Sequence, residues 1–339
     1  MEVESIATYG PRIIVLGKIR EPRRENIEKI KDELRPFDYL PIFQIKEKKE
    51  MVECFPYFLR EEKPKILLNL ILFIATIVST LLVGSYHQIG SFPKRPVDLV
   101  AGIPFSFSLM AILTFHEFGH YFTAQRNRVK TTLPFFLPIP HPLIGTFGAI
   151  MRIKTLIPNR QALARLGMAG PLAGFIIALP LTVIGLFFSK VKFTGEGVAG
   201  IHLGESILFA LLANIIHPNI PKGYDLFLHP MAYAGWLGFL VTSMNLMPIG
   251  QLDGGHIAYA LIGRRRLYII PVIILLLILL CQGWIYGWFF WLGIALLLSR
   301  RDPVIQDTIT PLSFKDRLIS LIPYIILILT FTPVPFIVK

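Results

Sequence analysis

The chain has 339 residues, 53% of them hydrophobic, with a positive mean hydropathy and a formal charge of +12. A soluble domain rarely sustains that balance over such a length, and the charges are unevenly spread. Before residue 66 there are 14 Lys/Arg and 13 Asp/Glu; after it, 20 and 9 in a much longer stretch. A mixed-charge head therefore precedes an apolar body, which reads as a small soluble domain followed by a membrane domain. Excess Lys and Arg in such a chain belongs to short cytoplasmic loops, not to a nucleic-acid surface, because no basic stripe interleaves with aromatics in the head. Cys54 and Cys281 stand far apart in unlike settings, which excludes a disulfide framework and a cysteine zinc site. The polar N-terminus lacks the apolar core of a cleavable signal peptide.

In chain order, Arg12–Ile19 is a short β-branched run. Glu21–Leu34 places Ile27, Ile30 and Leu34 at helical spacing, and Leu40–Ile45 returns to an extended pattern. This is a strand–helix–strand module, suited to packing or docking. Apolar stretches long enough to span a hydrocarbon core of about 30 Å follow at Ile66–Gly84, Leu99–Gln125, Leu166–Phe188, Met231–Ile249 and Leu318–Ile337. Leu267–Ser299 is uncharged and too long for one span, so it divides at Gln282–Gly283. The loops Arg126–Lys130, Arg152–Arg165, Arg264–Arg266 and Arg300–Arg317 are basic. An alternating path puts all four on one side, with the head, and that side is cytoplasmic. Ser85–Asp98 and Ser189–His229 form the opposite loops, and within the second Glu205–Ile216 has an apolar face suited to the interface.

Near the end of the second span stands His116-Glu117-Phe118-Gly119-His120. Histidines four residues apart sit about 40° apart on a helix, one turn along, so both imidazoles can reach one ion. Zinc suits imidazole nitrogen, and its catalytic sites take three protein ligands. Glu117 is placed beside the metal as a proton acceptor for the attacking water. Three ionisable groups within five residues of an apolar span mark function, not packing. A third ligand is needed, and the candidate is Asp253 in Asn245-Leu246-Met247-Pro248-Ile249-Gly250-Gln251-Leu252-Asp253-Gly254-Gly255-His256. Pro248 and Gly250 interrupt the helix there, and Gly254-Gly255 reads as flexible backbone. On spacing alone, a solvated Asp in a surface turn is an equal reading.

The two motifs together resemble the site-2 protease family of membrane-embedded zinc proteases, across most of residues 66–300. Within it the chain is similar to the branch containing the chloroplast proteases of the ethylene-dependent gravitropism-deficient, yellow-green type. Gly145-Thr146-Phe147-Gly148-Ala149, Gly170-Pro171-Leu172-Ala173-Gly174 and a variant head motif, Gly17-Lys18-Ile19-Arg20, support that branch. The resemblance implies that His116, His120 and Asp253 hold one Zn2+ and that Glu117 is the catalytic acid/base. It implies that Asn245 contacts substrate or the oxyanion and that Pro248 shapes its loop. It also gives meaning to the extended stretch Val129–Ile153. There Gly145, Thr146, Phe147 and Gly148 would pair with an unwound substrate strand, as in β-augmentation; the plain alternative is a cytoplasmic loop.

The expected fold is an α-helical polytopic membrane protein of about six to eight transmembrane helices. It carries a membrane-associated β-hairpin or re-entrant loop and a small N-terminal α/β cytoplasmic domain. Residues 1–62 form that domain and 63–339 the metalloprotease domain, with a core at about 99–262. The expected function is intramembrane zinc endoproteolysis, with transmembrane proteins as substrates and the lipid bilayer as solvent. The alternatives are a zinc-binding transporter, an inactive scaffold, or a zincin whose third ligand is Glu196 or Glu205. His141 and His256 read as loop or local hydrogen-bonding groups. His87, His202, His217 and His229 read as solvated, and the aromatics of Trp284–Trp291 as interface anchors.

Overall fold

A computed structural model describes residues 1–46, 49–56, 63–139, 141–195, 201–280, 293 and 305–338. The division at Gln282–Gly283, the Trp284–Trp291 aromatics, Glu196 and Cys281 lie outside the described residues.

The β-branched run near the N-terminus forms β2 (Arg12–Lys18), and the apolar helical spacing that follows forms α1 (Arg23–Leu34). β3 (Tyr39–Lys46) comes next. Two strands that the pattern did not mark complete the group, β1 (Glu2–Tyr9) and β4 (Lys49–Pro56). β1 is exposed along its whole length, so burial imposes no alternation on its sequence. Ile19, Ile27, Phe43, Val52 and Cys54 close the core between α1 and the sheet. The sheet continues past the head, in the order β1-β2-β4-β3-β11-β7, through β11 (Ile305–Asp307) and β7 (Ile157–Asn159). β11 runs parallel to both neighbours, with Asp307 opposite Phe43 on one side and Asn159 on the other. Chain from three distant parts of the sequence thus meets in one sheet.

Ile66–Ile89 (α2), Pro96–Arg126 and Arg160–Phe187 (α4) are long and apolar enough to cross a membrane. The second combines a 3-10 turn with α3 (Ile103–Arg126). α6 (Pro230–Leu246), with 17 residues, is slightly shorter. α3, α4 and α6 pack side by side around Leu109, Ile112, Leu113, Ala178, Leu237 and Phe239. α5 (Ile207–Ile216) inserts Phe209 into the same core and leaves Ile207, Leu211 and Ile215 exposed along its outer face.

The extended stretch after α3 becomes a hairpin of β5 (Phe135–Pro138) and β6 (Thr146–Ile150). It lies along α2. Asn69 Nδ2 donates to the Pro134 carbonyl at 2.8 Å near one end of α2, and His87 Nε2 bonds the Pro142 carbonyl near the other. Those anchors are about 27 Å apart along the helix. The hairpin therefore runs alongside nearly the full length of an apolar helix, with its strand ladder covering the polar backbone.

α7 (Asp253–Ile262), α8 (Ile270–Leu280) and α9 (Phe314–Ile319) precede the last helix, α10 (Ile322–Thr330). The stretch Leu318–Ile337 matches a span in composition but is helical over only part of its length. Beyond Thr330 it bends without helix to β12 (Phe336–Val338), which pairs with β9 (Ile201–Leu203). Thr330 and Thr332 are buried there, so this non-helical backbone is packed in protein. The loop before α6 adds a third two-stranded sheet, β8 (Lys190–Phe193) with β10 (Tyr224–Phe227).

Candidate metal centre

His116, Glu117 and His120 lie on one continuous helix, α3, whose spacing sets the imidazoles one above the other. His116 Nε2 and His120 Nε2 are 3.2 Å apart. His120 Nδ1 lies 2.8 Å from the Leu166 carbonyl of α4. A carbonyl only accepts, so Nδ1 carries a proton, which leaves Nε2 as the nitrogen that faces the centre and can bind an ion there. The ring can sit there because α4 has a glycine opposite it. A Cβ at residue 170 would lie 2.0 Å from His120 Nε2.

The third group arrives differently. α6 ends at Leu246, residues 247–252 are non-helical, and α7 begins at Asp253. The break expected from Pro248 and Gly250 is present. Gly254 and Gly255, however, are not a flexible tail of the carboxylate: both are buried in the first turn of α7. A Cβ on Gly254 would fall 1.9 Å from the Leu246 carbonyl oxygen, and one on Gly255 2.4 Å from that of Gly250. Glycine is needed there for close approach of backbone to backbone, which brings Asp253 back under α3. Its Oδ2 is 3.4 Å from His116 Nε2 and 3.3 Å from His120 Nε2.

The three atoms form a nearly equilateral triangle. An ion held tetrahedrally at about 2.0–2.2 Å requires ligand atoms about 3.3–3.6 Å apart, close to what is observed. Two bare imidazole nitrogens and a carboxylate oxygen repel at such distances unless a proton or a cation lies among them. The donor set, nitrogen and oxygen with no sulfur, suits zinc. His116 and Glu117 are buried at 6% and 8% exposure, so the centre is shielded from bulk solvent. Among the described residues, no other group of His, Cys, Asp and Glu side chains converges in this way.

Asn245 Nδ2 lies 3.5 Å from His116 Nε2, beside the triangle, and Pro248 is half-buried in the linking segment. Gly145–Gly148 lie at the turn and start of β6. There Gly145 accepts from Ser79 Oγ at 2.7 Å, Thr146 is buried and Phe147 is 64% exposed. His141 is exposed, and His256 lies on α7 beside Gly167 and outside the triangle. The four histidines expected in solvent have partners instead. His217 Nε2 bonds the Leu186 carbonyl, His229 Nδ1 accepts from the Met231 amide, His202 faces Asp225, and His87 bonds the hairpin turn. Glu205 is exposed at the start of α5 and outside the cluster.

Two contributors were given no part in the site by sequence: the Leu166 carbonyl, and Gly170, which opens the Gly170-Pro171-Leu172-Ala173-Gly174 motif. The carbonyl carries no sequence signal. The glycine does, since Gly167, Gly170 and Gly174 repeat at three and four residues on one face of a helix.

Comparison with known proteins places zinc metalloproteases among the relatives of this chain. The "Probable zinc metalloprotease EGY1, chloroplastic" of Oryza sativa subsp. japonica is 28% identical over 310 residues, covering 78% of this chain and 52% of its own length. The Arabidopsis thaliana "Probable zinc metalloprotease EGY2, chloroplastic" is 36% identical over 165 residues, 48% of this chain and 29% of its own. The Arabidopsis thaliana "Probable zinc metallopeptidase EGY3, chloroplastic" is 30% identical over 245 residues, 65% and 41% respectively. The chain spans about half the length, or less, of these curated relatives. No solved structure matches it. The sequence model of peptidase family M50 matches residues 104–280, which include the histidine pair, the α4 glycines and Asp253. With its motifs already resembling the site-2 proteases, a match over half its length establishes that the chain belongs to peptidase family M50.

Proposed function

We propose that this protein is a membrane-embedded zinc metalloendopeptidase that hydrolyses peptide bonds in the transmembrane segments of other proteins. The observation that carries the reading is the triangle of His116, His120 and Asp253, built from two elements far apart in sequence at the spacing one zinc ion needs. In this reading the three residues hold a single Zn2+. When bound, zinc supplies Lewis acidity that polarises the scissile carbonyl and lowers the pKa of water at the site towards neutrality.

The chain's own residues do the rest. Glu117, buried in the same turn as both histidines, accepts the proton of the attacking water and returns it to the leaving amine nitrogen. The Leu166 carbonyl holds the His120 tautomer and ring plane. Asn245 stands beside the centre where its amide can donate to the developing oxyanion, and Pro248 keeps the linking segment from continuing as helix. A substrate helix has to unwind before a peptide bond can reach Glu117. Gly145, Thr146, Phe147 and Gly148 lie on a two-stranded sheet whose outer edge, among the described residues, carries no further strand. An unwound segment can add there by backbone hydrogen bonds.

The membrane reading rests on three apolar helices and on the family. We extend it to six to eight spans, with the head and the basic loops on the cytoplasmic side. Residues 1–62 act as a docking head on the body 63–339, joined to it through β11.

The test compares wild type with Glu117→Gln on model transmembrane substrates in detergent. Cleavage by the wild type, with loss of cleavage but retention of zinc in the variant, supports the proposal. Equal cleavage by both would refute the role of Glu117. Absence of zinc from both would refute the metal centre.

A further inference from the structure

The zinc reading leaves one question of placement. His116 and His120 are held by their helix, but Asp253 follows six non-helical residues and needs something outside that segment to fix it. Directly behind the carboxylate, the Gly254 carbonyl accepts a hydrogen bond from the Tyr324 hydroxyl at 2.7 Å. Tyr324 lies on α10, 70 residues later and beyond the stretch matched to the family.

The position of that hydroxyl is set from both ends of its segment. Before α10, Asp316 Oδ2 accepts from Gln161 Nε2 at 2.8 Å and faces Arg165, both in the first turns of α4. After it, β12 pairs with β9, the Pro335 carbonyl accepts from the Gly204 amide at 2.9 Å, and Phe336 packs edge-on against Trp236 of α6. Between these anchors Ile326, Leu327 and Tyr324 pack into a small apolar cluster with Met168, Leu246 and Ile257, one from each of α4, α6 and α7. α10 therefore touches the helix that orients His120, the helix that ends before the break, and the helix that starts with Asp253.

We infer that Tyr324 is a positioning residue for the metal centre: its hydroxyl pins the first turn of α7 so that Asp253 completes the triangle with His116 and His120. This rests on the zinc reading and assigns part of the centre to the C-terminal segment. Direct hydrogen-bond partners of a ligand cost about 10–100-fold in metal affinity when lost. This contact acts one residue farther out, through the backbone, so its loss is expected at the lower end, about 10-fold.

The experiment uses the full chain in detergent and three variants, Tyr324→Phe, Leu327→Ala and His120→Ala. Zinc affinity is measured by competition with a chromophoric chelator, ligand geometry by the visible spectrum of the Co(II)-substituted protein, and stability by thermal unfolding without metal. Tyr324→Phe is expected to weaken zinc about 10-fold and to shift the Co(II) bands, with little change in unfolding. Leu327→Ala, which thins the same packing without touching the hydrogen bond, is expected to lower the unfolding temperature while keeping affinity within about 3-fold and the Co(II) bands unmoved. Wild-type affinity and spectrum in Tyr324→Phe would overturn the inference and leave the zinc reading intact. So would an equal loss of affinity in Leu327→Ala, which would reduce Tyr324 to packing. If wild type binds no zinc, or His120→Ala binds it as tightly, the zinc reading itself falls and the inference with it.

Discussion

The two halves of the His116–His120–Asp253 triangle, the proposed metal centre, are built in opposite ways. His116 and His120 share one uninterrupted helix, and their mutual position follows from four residues of helical spacing. Asp253 reaches the same point through a broken helix, two glycines pressed against carbonyl oxygens, and a tyrosine from the far end of the chain. The first half is local geometry and the second is tertiary structure. A protein built this way can therefore lose the proposed third ligand without losing its histidine pair, and the same contrast divides what can be read from sequence from what cannot.

The contrast breaks most severely at the contact that serves the histidine side. Gly170→Ala puts a methyl 2.0 Å from His120 Nε2, over the face of the ring. Zinc content of the purified variant is expected to fall to background, and near-stoichiometric zinc would show that α4 can shift away without consequence. On the other side, Gly254→Ala forces the backbone of α7 off Leu246 and displaces Asp253. Zinc affinity is expected to drop roughly 100-fold while the histidine pair survives, the upper end for lost ligand support. A fall no greater than that of Tyr324→Phe would mean that the glycine approach adds nothing to the tyrosine.

Chemistry separates from binding at Glu117 and Asn245. Glu117→Gln is expected to reduce the cleavage rate by about 10²–10⁴-fold at unchanged zinc content. Asn245→Ala is expected to reduce it by about 10²–10³-fold, in kcat more than in KM, if its amide serves the oxyanion. An effect on KM alone would move Asn245 to substrate binding.

These differences also explain how far the sequence was legible. His116-Glu117-Phe118-Gly119-His120 carries its geometry in its own spacing, so its residues could be placed before any fold was known. The helix break at Pro248 and Gly250 was equally plain, because proline and glycine act on the backbone where they stand. Asp253 on spacing alone was an even choice between ligand and surface residue, since nothing local brings it under α3. Gly254 and Gly255 read as flexible when their role is close contact, because a glycine required where a Cβ would fall 1.9 Å from a carbonyl oxygen looks the same as one required by a turn. Tyr324 and the Leu166 carbonyl carried no signal at all. The hairpin of β5 and β6 was marked as extended by its prolines and glycines, but its run along α2 depends on Asn69, Ser79 and His87, three polar residues of an apolar helix. β11 was missed because three residues are too few to show a period.

The smallest expected effect lies at the anchor of the C-terminal segment. The Ser313 hydroxyl, and then Gln161 and Arg165, hold the Asp316 carboxyl below its ordinary value. A lowered folded-state value means that the contact stabilises fully above the unfolded value of about 4 and is lost as pH falls through the folded one. Asp316→Asn is therefore expected to unfold at a slightly lower temperature near neutrality, with the gap closing under acid. A gap independent of pH would show that the hydrogen bonds, not the charge, tie α9 to α4.

X-ray absorption at the zinc edge of the purified chain tests the central claim most directly. The account requires about one zinc per chain, bound by two imidazoles and oxygen at about 2.0–2.2 Å with no sulfur, and loss of one imidazole in His120→Ala. Zinc bound through sulfur, or an identical spectrum in wild type and His120→Ala, would place the metal elsewhere and contradict the account.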